Sequence, residues 1–224
     1  MVQWQKIKDR VCFPLLIFLS SDEARSLDLT PIDEERIATT RSRCRGLLLD
    51  IGCGTNELIR RYRSTQGMAV GVDVYPWPGV DLVCDTTELP FAEARFDTVT
   101  MLACLNHIPL SKRGRVLREA SRVLKDEGQL MLTMINPVVG FFAHTLRHRC
   151  DPDQLERGMG EEENGLWRKD VETLLAGNGF RLIQIVPFVF GLNRLYIAQK
   201  HAHEEPSPAM ALRDTQRSRR DQSR

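Results

Sequence analysis

The residues best suited to chemistry lie in LLLDIGCGTNELIR, Leu47 to Arg60, where an apolar run meets Asp50, then Gly52-Cys53-Gly54, then a helical pattern. Gly52 and Gly54 lack a Cβ, so the backbone can turn sharply and a ligand can lie directly against it. Nineteen residues beyond Gly54, Asp73 ends a second apolar run. A carboxylate there can accept two hydrogen bonds from the hydroxyls of a ribose. Together these features suit a nucleotide-like ligand lying across the ends of adjacent strands.

A dinucleotide would use the same two features, and charge separates the cases. In the G-x-G-x-x-G fingerprint a helix amino terminus holds a pyrophosphate, and a third glycine lets the helix pack closely. Here that third position is Glu57, and Asp50 adds a second negative charge ahead of the glycines. Two carboxylates suit a cationic ligand, such as the ammonium group of S-adenosylmethionine, better than a diphosphate.

At this point the sequence resembles the class I S-adenosylmethionine-dependent methyltransferases, in particular the type 11 group that includes the ubiquinone and menaquinone biosynthesis methyltransferases. The resemblance runs from Leu47 to about Pro137, through LLLDIGCGT, VGVDVY, CDTTELPF, FDTVTMLACLNHIP and REASRVLKDEGQLMLTMINP. It implies a cofactor site in which Asp50, Gly52 and Gly54 surround the methionine part and Asp73 takes the ribose hydroxyls. It further implies that Asp85 accepts from the adenine amino group, that the Thr86 backbone N–H meets a ring nitrogen, and that Leu102 or Ala103 lines the sulfonium side. Asn56 departs from the family by replacing a third glycine; asparagine tolerates positive φ, so cofactor binding is expected to survive.

His107, in LNHIP after the fourth strand, is the candidate catalytic base, because imidazole changes charge near neutral pH. The competing reading is a loop-fixing hydrogen bond, since relatives carry histidine here whatever their substrate. Asn136-Pro137 resembles the N-P-P-Y motif of amino-methylating enzymes, but it follows the fifth strand and lacks the second proline and the aromatic residue. It reads as a strand-ending turn.

The elements that must position these residues follow from periodicity. Strands are expected at Leu47 to Ile51, Met68 to Val72, Leu82 to Cys84, Thr98 to Leu102, Gln129 to Met134, Arg181 to Val186 and Arg194 to Gln199. Val116, Leu117, Ala120, Val123 and Leu124 mark a crossover helix after a Ser111 cap, closed by Gly128, and Val171, Leu174 and Leu175 mark a late one. The expected fold is a doubly wound, Rossmann-like α/β sheet of seven strands, mostly parallel, with an antiparallel C-terminal hairpin strand. Residues 1–45 read as an extension of two short helices, with Ser20 and Glu23 as a capping box and Pro31 at a first helical position. Residues 46–200 read as the cofactor-binding domain and 201–224 as a disordered tail. Phe141, Phe142 and Leu146, with the acidic stretch to Trp167, follow the fifth strand, where insertions in this fold commonly shape the acceptor pocket; they read either as a lid or substrate wall or as a packed helix followed by an acidic surface loop.

Composition narrows the partners. Thirty-one Lys and Arg against 30 Asp and Glu leave a net charge of +1, which lacks the electrostatic footprint of nucleic-acid binding. The six cysteines form no C-x-x-C pair and no zinc spacing, so they read as reduced cytoplasmic thiols with no metal. The apolar run Val11 to Leu19 is too short to span a bilayer and contains Pro14; it packs on the core, closes over the pocket or touches a membrane surface. These readings together predict methyl transfer from S-adenosylmethionine to a small or lipid-linked acceptor. The alternatives are a catalytically inactive cofactor-binding protein acting through protein contacts, and an NAD-dependent oxidoreductase.

Overall fold

A computed structural model of the chain describes residues 8–9, 21–141 and 163–200. The run Val11 to Leu19, the Ser20 cap, Phe142, Leu146 and the tail 201–224 lie outside the described residues.

Seven strands form one sheet: β1 Leu48–Ile51, β2 Ala69–Asp73, β3 Leu82–Val83, β4 Phe96–Leu102, β5 Leu124–Ile135, β6 Phe180–Phe188 and β7 Asn193–Lys200. Their order is β3-β2-β1-β4-β5-β7-β6. The first five pair in parallel, and β7 runs antiparallel to both β5 and β6. This is the expected mostly parallel sheet with its antiparallel hairpin. Strand order reverses between β1 and β4, and that switch point opens a crevice beyond the strand carboxyl ends.

Helices cover both faces, which is why β1 is buried along its whole length. α1 Ser21–Ser26 and α2 Ile32–Arg41 precede the sheet; α3 Glu57–Arg63, α4 Leu110–Val123 and α5 Arg168–Gly177 are interleaved with it. One face packs Leu49, Ile51, Val99 and Met101 against Val116, Leu117 and Ala120 of α4 and Val171 and Leu175 of α5. The other packs Leu48 and Met131 against Ile59 and Tyr62 of α3 and Ile37 of α2. An Arg61–Glu34 ion pair ties α3 to α2, and the Val189 N–H donates to Glu35 Oε1 at 3.1 Å.

Three boundaries differ from expectation. Pro31 stands at the N-cap, with the helix beginning at Ile32. α4 starts at Leu110 after Pro109, so Ser111 is already inside the helix and does not cap it. Gly128 does not end that helix: the chain turns straight into β5 at Leu124, and a Cβ on Gly128 would come within 2.7 Å of Leu124 Cγ and 2.8 Å of the Lys125 carbonyl. Close packing inside the strand, and not helix termination, requires glycine there.

Candidate functional site

The crevice is built from the turns after β1, β2, β3 and β4. Gly52 and Gly54 both adopt positive φ, +72° and +53°. A Cβ on Gly52 would lie 2.3 Å from Cys104 Sγ, so this position has neither the conformation nor the room for a side chain. Gly54 has nothing within 4 Å of its Cβ direction and presents bare backbone to open space. Asn56 adopts φ 62° as its residue type allows, and its Nδ2 donates to the Gly79 carbonyl at 2.8 Å, tying the glycine turn to the loop after β2.

Asp73 organises this turn directly. The Gly54 N–H donates to its Oδ2 at 2.9 Å and the Tyr75 N–H to its Oδ1 at 3.0 Å. Each oxygen retains a further lone pair, so the carboxylate can hold the turn and still accept two ligand hydroxyls. In the loop that follows, the Tyr75 and Trp77 rings meet at a tilt of 60° with centroids 5.1 Å apart.

Asp50 is differently placed. It is 2% exposed and pairs in register with Gly71 of β2 and Thr100 of β4. The Thr100 hydroxyl lies 2.6 Å from Asp50 Oδ1. Burial, partly offset by that hydrogen bond and reinforced by the Asp73 charge, pushes the Asp50 carboxyl up to about 7.

Asp85 is exposed and sits in the turn after β3, where its Oδ1 accepts the Thr87 N–H at 2.8 Å. Bonds from the Thr87 backbone and hydroxyl hold its carboxyl below the usual range. Thr86 beside it is 6% exposed. Leu102 closes β4, and the following Ala103 takes a left-handed φ of 48°, with its N–H donating to the buried Thr133 hydroxyl at 2.9 Å. A non-glycine residue held in that region by a neighbouring strand marks a constrained turn at the crevice wall.

His107 ends a short 3-10 turn, Leu105–His107, at the same edge, and its Nε2 lies 3.2 Å from Asn106 Nδ2. The loop is clamped from beneath by Arg113, 1% exposed, whose guanidinium donates to the Ile108 carbonyl at 2.8 Å, the Asn106 carbonyl at 3.2 Å and Glu163 Oε2 at 2.6 Å. Asn106 and Glu163 also exchange hydrogen bonds, each donor reaching the other residue's carbonyl at 3.2 Å. Asn136-Pro137 turns out to start a helix: Asn136 Oδ1 accepts the Val138 N–H at 2.9 Å, and proline takes the first helical position.

The structure therefore gathers Asp50, Gly52, Gly54, Asp73, Asp85, Thr86, Leu102 and His107 along one sheet edge. Sequence reasoning missed Thr100, Cys104, Thr133 and the Asn106–Arg113–Glu163 clamp. Arg113 had a usable signal, because it lies in phase with the buried stripe Val116, Leu117, Ala120 and Val123. Cys104 is a neutral thiol, pushed up to about 12 by burial and by the Asp73 and Asp50 charges. Among the described residues there is no cluster of His, Cys, Asp or Glu able to hold a metal ion, and no helix long and apolar enough to cross a membrane.

Comparison with known proteins agrees with this geometry. Residues 49–132 match the family described as "Methyltransferase domain". Human "Probable tRNA methyltransferase 9B" is 34% identical over 96 residues, covering 38% of this chain and 20% of that protein. The 27-O-demethylrifamycin SV methyltransferase of Amycolatopsis mediterranei is 36% identical over 102 residues, covering 38% and 37%. The chain thus spans between a fifth and two fifths of the length of these two curated relatives. Among solved structures, an S-adenosylmethionine-dependent methyltransferase of Methanosarcina mazei superposes with TM-score 0.55 at 23% identity, covering 75% of this chain and 98% of that one. A chain of the structure described as "Complex between the Haloferax volcanii Trm112 methyltransferase activator and the putative methyltransferase" gives TM-score 0.60 at 16% identity, covering 76% of this chain and 92% of that one. Strand order, the glycine turn and the family match converge: residues 49–132 match the methyltransferase-domain family, and the chain has the fold seen in an S-adenosylmethionine-dependent methyltransferase.

Proposed function

We propose that the protein transfers a methyl group from S-adenosylmethionine to a small or lipid-linked acceptor, at an oxygen, nitrogen or carbon atom. The observation that carries this reading is the Gly54–Asp73 pair: bare left-handed backbone facing open space, hydrogen-bonded to a carboxylate with lone pairs to spare. Asp73 takes the ribose hydroxyls. Asp85 and the Thr86 N–H read the adenine edge, Gly52 and Gly54 let the methionine part approach, and Asp50 supplies negative potential beneath it. Leu102 lines the side where transfer occurs. The bound cofactor supplies a methyl group already activated by a sulfonium charge. The protein's task is then alignment and exclusion of water, which needs no metal or covalent intermediate. His107 stands at the mouth either as a base or as a loop-fixing side chain, and the clamp beneath it favours the second role.

The small-molecule acceptor draws support from the rifamycin relative and from the near-neutral charge. A tRNA acceptor is the second reading, favoured by the similarity to the protein named tRNA methyltransferase 9B. Incubation with methyl-labelled S-adenosylmethionine and fractionated cell extract tests both. Label in small-molecule or lipid fractions is expected, label in the RNA fraction selects the second reading, and no label despite cofactor binding leaves a binding protein acting through protein contacts. Calorimetry with S-adenosylhomocysteine and NADH completes the test, since preference for NADH would overturn the cofactor assignment.

A further inference from the structure

The two carboxylates at the switch point are unequally provided for. Asp73, at the end of β2, accepts two backbone N–H bonds. Asp50, on the adjacent β1, is 2% exposed and its side chain meets one neutral hydroxyl, that of Thr100. Thr100 is itself completely buried, and its Oγ1 also lies 3.3 Å from the Leu49 carbonyl. The hydroxyl proton therefore has two acceptors to choose between. When it points at Asp50, it supports a carboxylate. When it points at Leu49, Thr100 Oγ1 is left as an acceptor, and a protonated Asp50 can donate to it across the same 2.6 Å. The site accommodates both protonation states of Asp50 without moving a heavy atom.

The other titratable groups facing Asp50 favour the neutral state. They are Asp73 from β2, Cys44 from the segment before β1, Cys53 from the glycine turn and Cys104 from the turn after β4. Burial raises all three thiols, so near neutral pH Asp73 is the one charged group of this set, and it carries the same sign as ionised Asp50.

We infer that Asp50 is a proton-linked counter-ion of the cofactor crevice: it holds a proton before the cofactor arrives and releases it when the cofactor's positively charged end settles nearby, with Thr100 as the positioning hydroxyl that serves both states. The inference rests on the cofactor reading above. The step balances simply: the Asp50 O–H bond breaks, the proton leaves to buffer, and the electron pair stays on the carboxylate that now faces a cation. Binding should therefore be coupled to pH through a group that takes no part in methyl transfer.

Calorimetric titration of the full chain with S-adenosylhomocysteine tests this, because it needs no acceptor. The probe's ammonium stays charged from about pH 6 to pH 8. Binding enthalpies in phosphate and imidazole buffers, which differ in ionisation enthalpy, yield the protons released. For a carboxyl titrating near neutrality the expected release is about 0.9 proton at pH 6, about 0.5 at pH 7 and about 0.1 at pH 8, with apparent affinity rising about tenfold across that range. In Asp50→Asn the release should vanish. Thr100→Val gives the second reading: without the hydroxyl the ionised form loses its donor, so the release profile should move to higher pH and exceed about 0.5 proton at pH 7. Enthalpies that do not depend on buffer, or release that persists in Asp50→Asn, would overturn the inference while leaving the cofactor reading intact. An unmoved profile in Thr100→Val would remove Thr100 from it. Absence of S-adenosylhomocysteine binding to the wild-type chain would instead sink the cofactor reading, and this inference with it.

Discussion

Replacing Arg113 by methionine should separate the stabilising part of the clamp from its visible ion pair. Arg113 is 1% exposed, whereas the Glu163 side chain it meets is 45% exposed. Methionine keeps the packing of the aliphatic stem but withdraws every donor. The Ile108 carbonyl, reached at 2.8 Å, is then stranded against an apolar side chain, and the Asn106 carbonyl, reached at 3.2 Å, is left with the Glu163 N–H alone. Hydrogen bonds to charged groups contribute about 1.5 to 3 kcal/mol each, and breaking a buried pair costs about 3 to 5 kcal/mol. Because water can reach Glu163 after the loss, the lower end applies, and Arg113→Met should cost about 3 kcal/mol. Glu163→Gln leaves both carbonyl bonds in place and removes a half-exposed charge, so it should cost at most about 1 kcal/mol. Urea unfolding of the two variants and the wild type measures the contrast. Hydrogen exchange should localise it: the His107 amide, bonded to the Cys104 carbonyl at 2.9 Å, should exchange faster in Arg113→Met while β1 amides stay protected. Equal costs for the two variants would refute the reasoning, since the ion pair would then be the stabilising element.

Three further expectations follow from the site. Asp73→Ala should weaken S-adenosylhomocysteine binding by about 1.5 to 3 kcal/mol, read by calorimetry. It should also lower stability, because the Gly54 and Tyr75 N–H groups lose their acceptor; unchanged affinity would remove Asp73 from the site. His107→Gln should lose about 0.5 to 1.5 kcal/mol of stability with cofactor affinity unchanged. A hundredfold fall in turnover on the acceptor found by the labelling experiment, without a stability loss, would instead make it the base. Asp50, held at about 7 in the fold against an ordinary 3.8, keeps a proton that the unfolded chain has already given up, so its effect on stability worsens as pH rises from about 4 to about 7. Asp50→Asn should be indistinguishable from wild type near pH 4 and more stable by up to about 3 to 4 kcal/mol at pH 8, as urea titrations at each pH would show; parallel pH profiles would contradict the assignment.

Legibility in the sequence followed the physics of each element. Strands buried on both faces are near-continuous apolar runs, so Leu48–Ile51 and Ala69–Asp73 were readable within a residue or two even though each carries an aspartate at or next to its carboxyl end. The junction of α4 and β5 was not, because glycine has two uses. Gly128 looks like a helix stop, but its missing Cβ makes room for Leu124, while the left-handed conformation falls on Glu127 with φ 64°. The acids of the crevice were legible because carboxylates at strand ends combine with glycines in few ways. Thr100 was not, since threonine in a strand is an ordinary β-former and its hydroxyl gains meaning only through the register Asp50↔Thr100.

The stretch between β5 and α5, a candidate acceptor wall in the sequence, resists sequence reading for a reason visible at its two described ends. A Cβ on Gly140 would stand 1.5 Å from the Asn164 carbonyl oxygen, and one on Gly165 would stand 2.5 Å from that of Ile135. Backbone therefore packs directly on backbone where the chain leaves β5 and where it returns towards α5. Arg113 and Asn106 fasten Glu163 to the loop that carries His107. These contacts fix the two described ends, Gly140 on one side and Glu163 to Gly165 on the other, whatever side chains lie between. The glycine turn works by the opposite logic, because in the proposed function the ligand itself meets the backbone and a small set of acids there, and that chemistry constrains residue types. Where backbone contacts alone anchor a segment, they leave the residue types between its ends unconstrained, and no pattern marks them in the sequence.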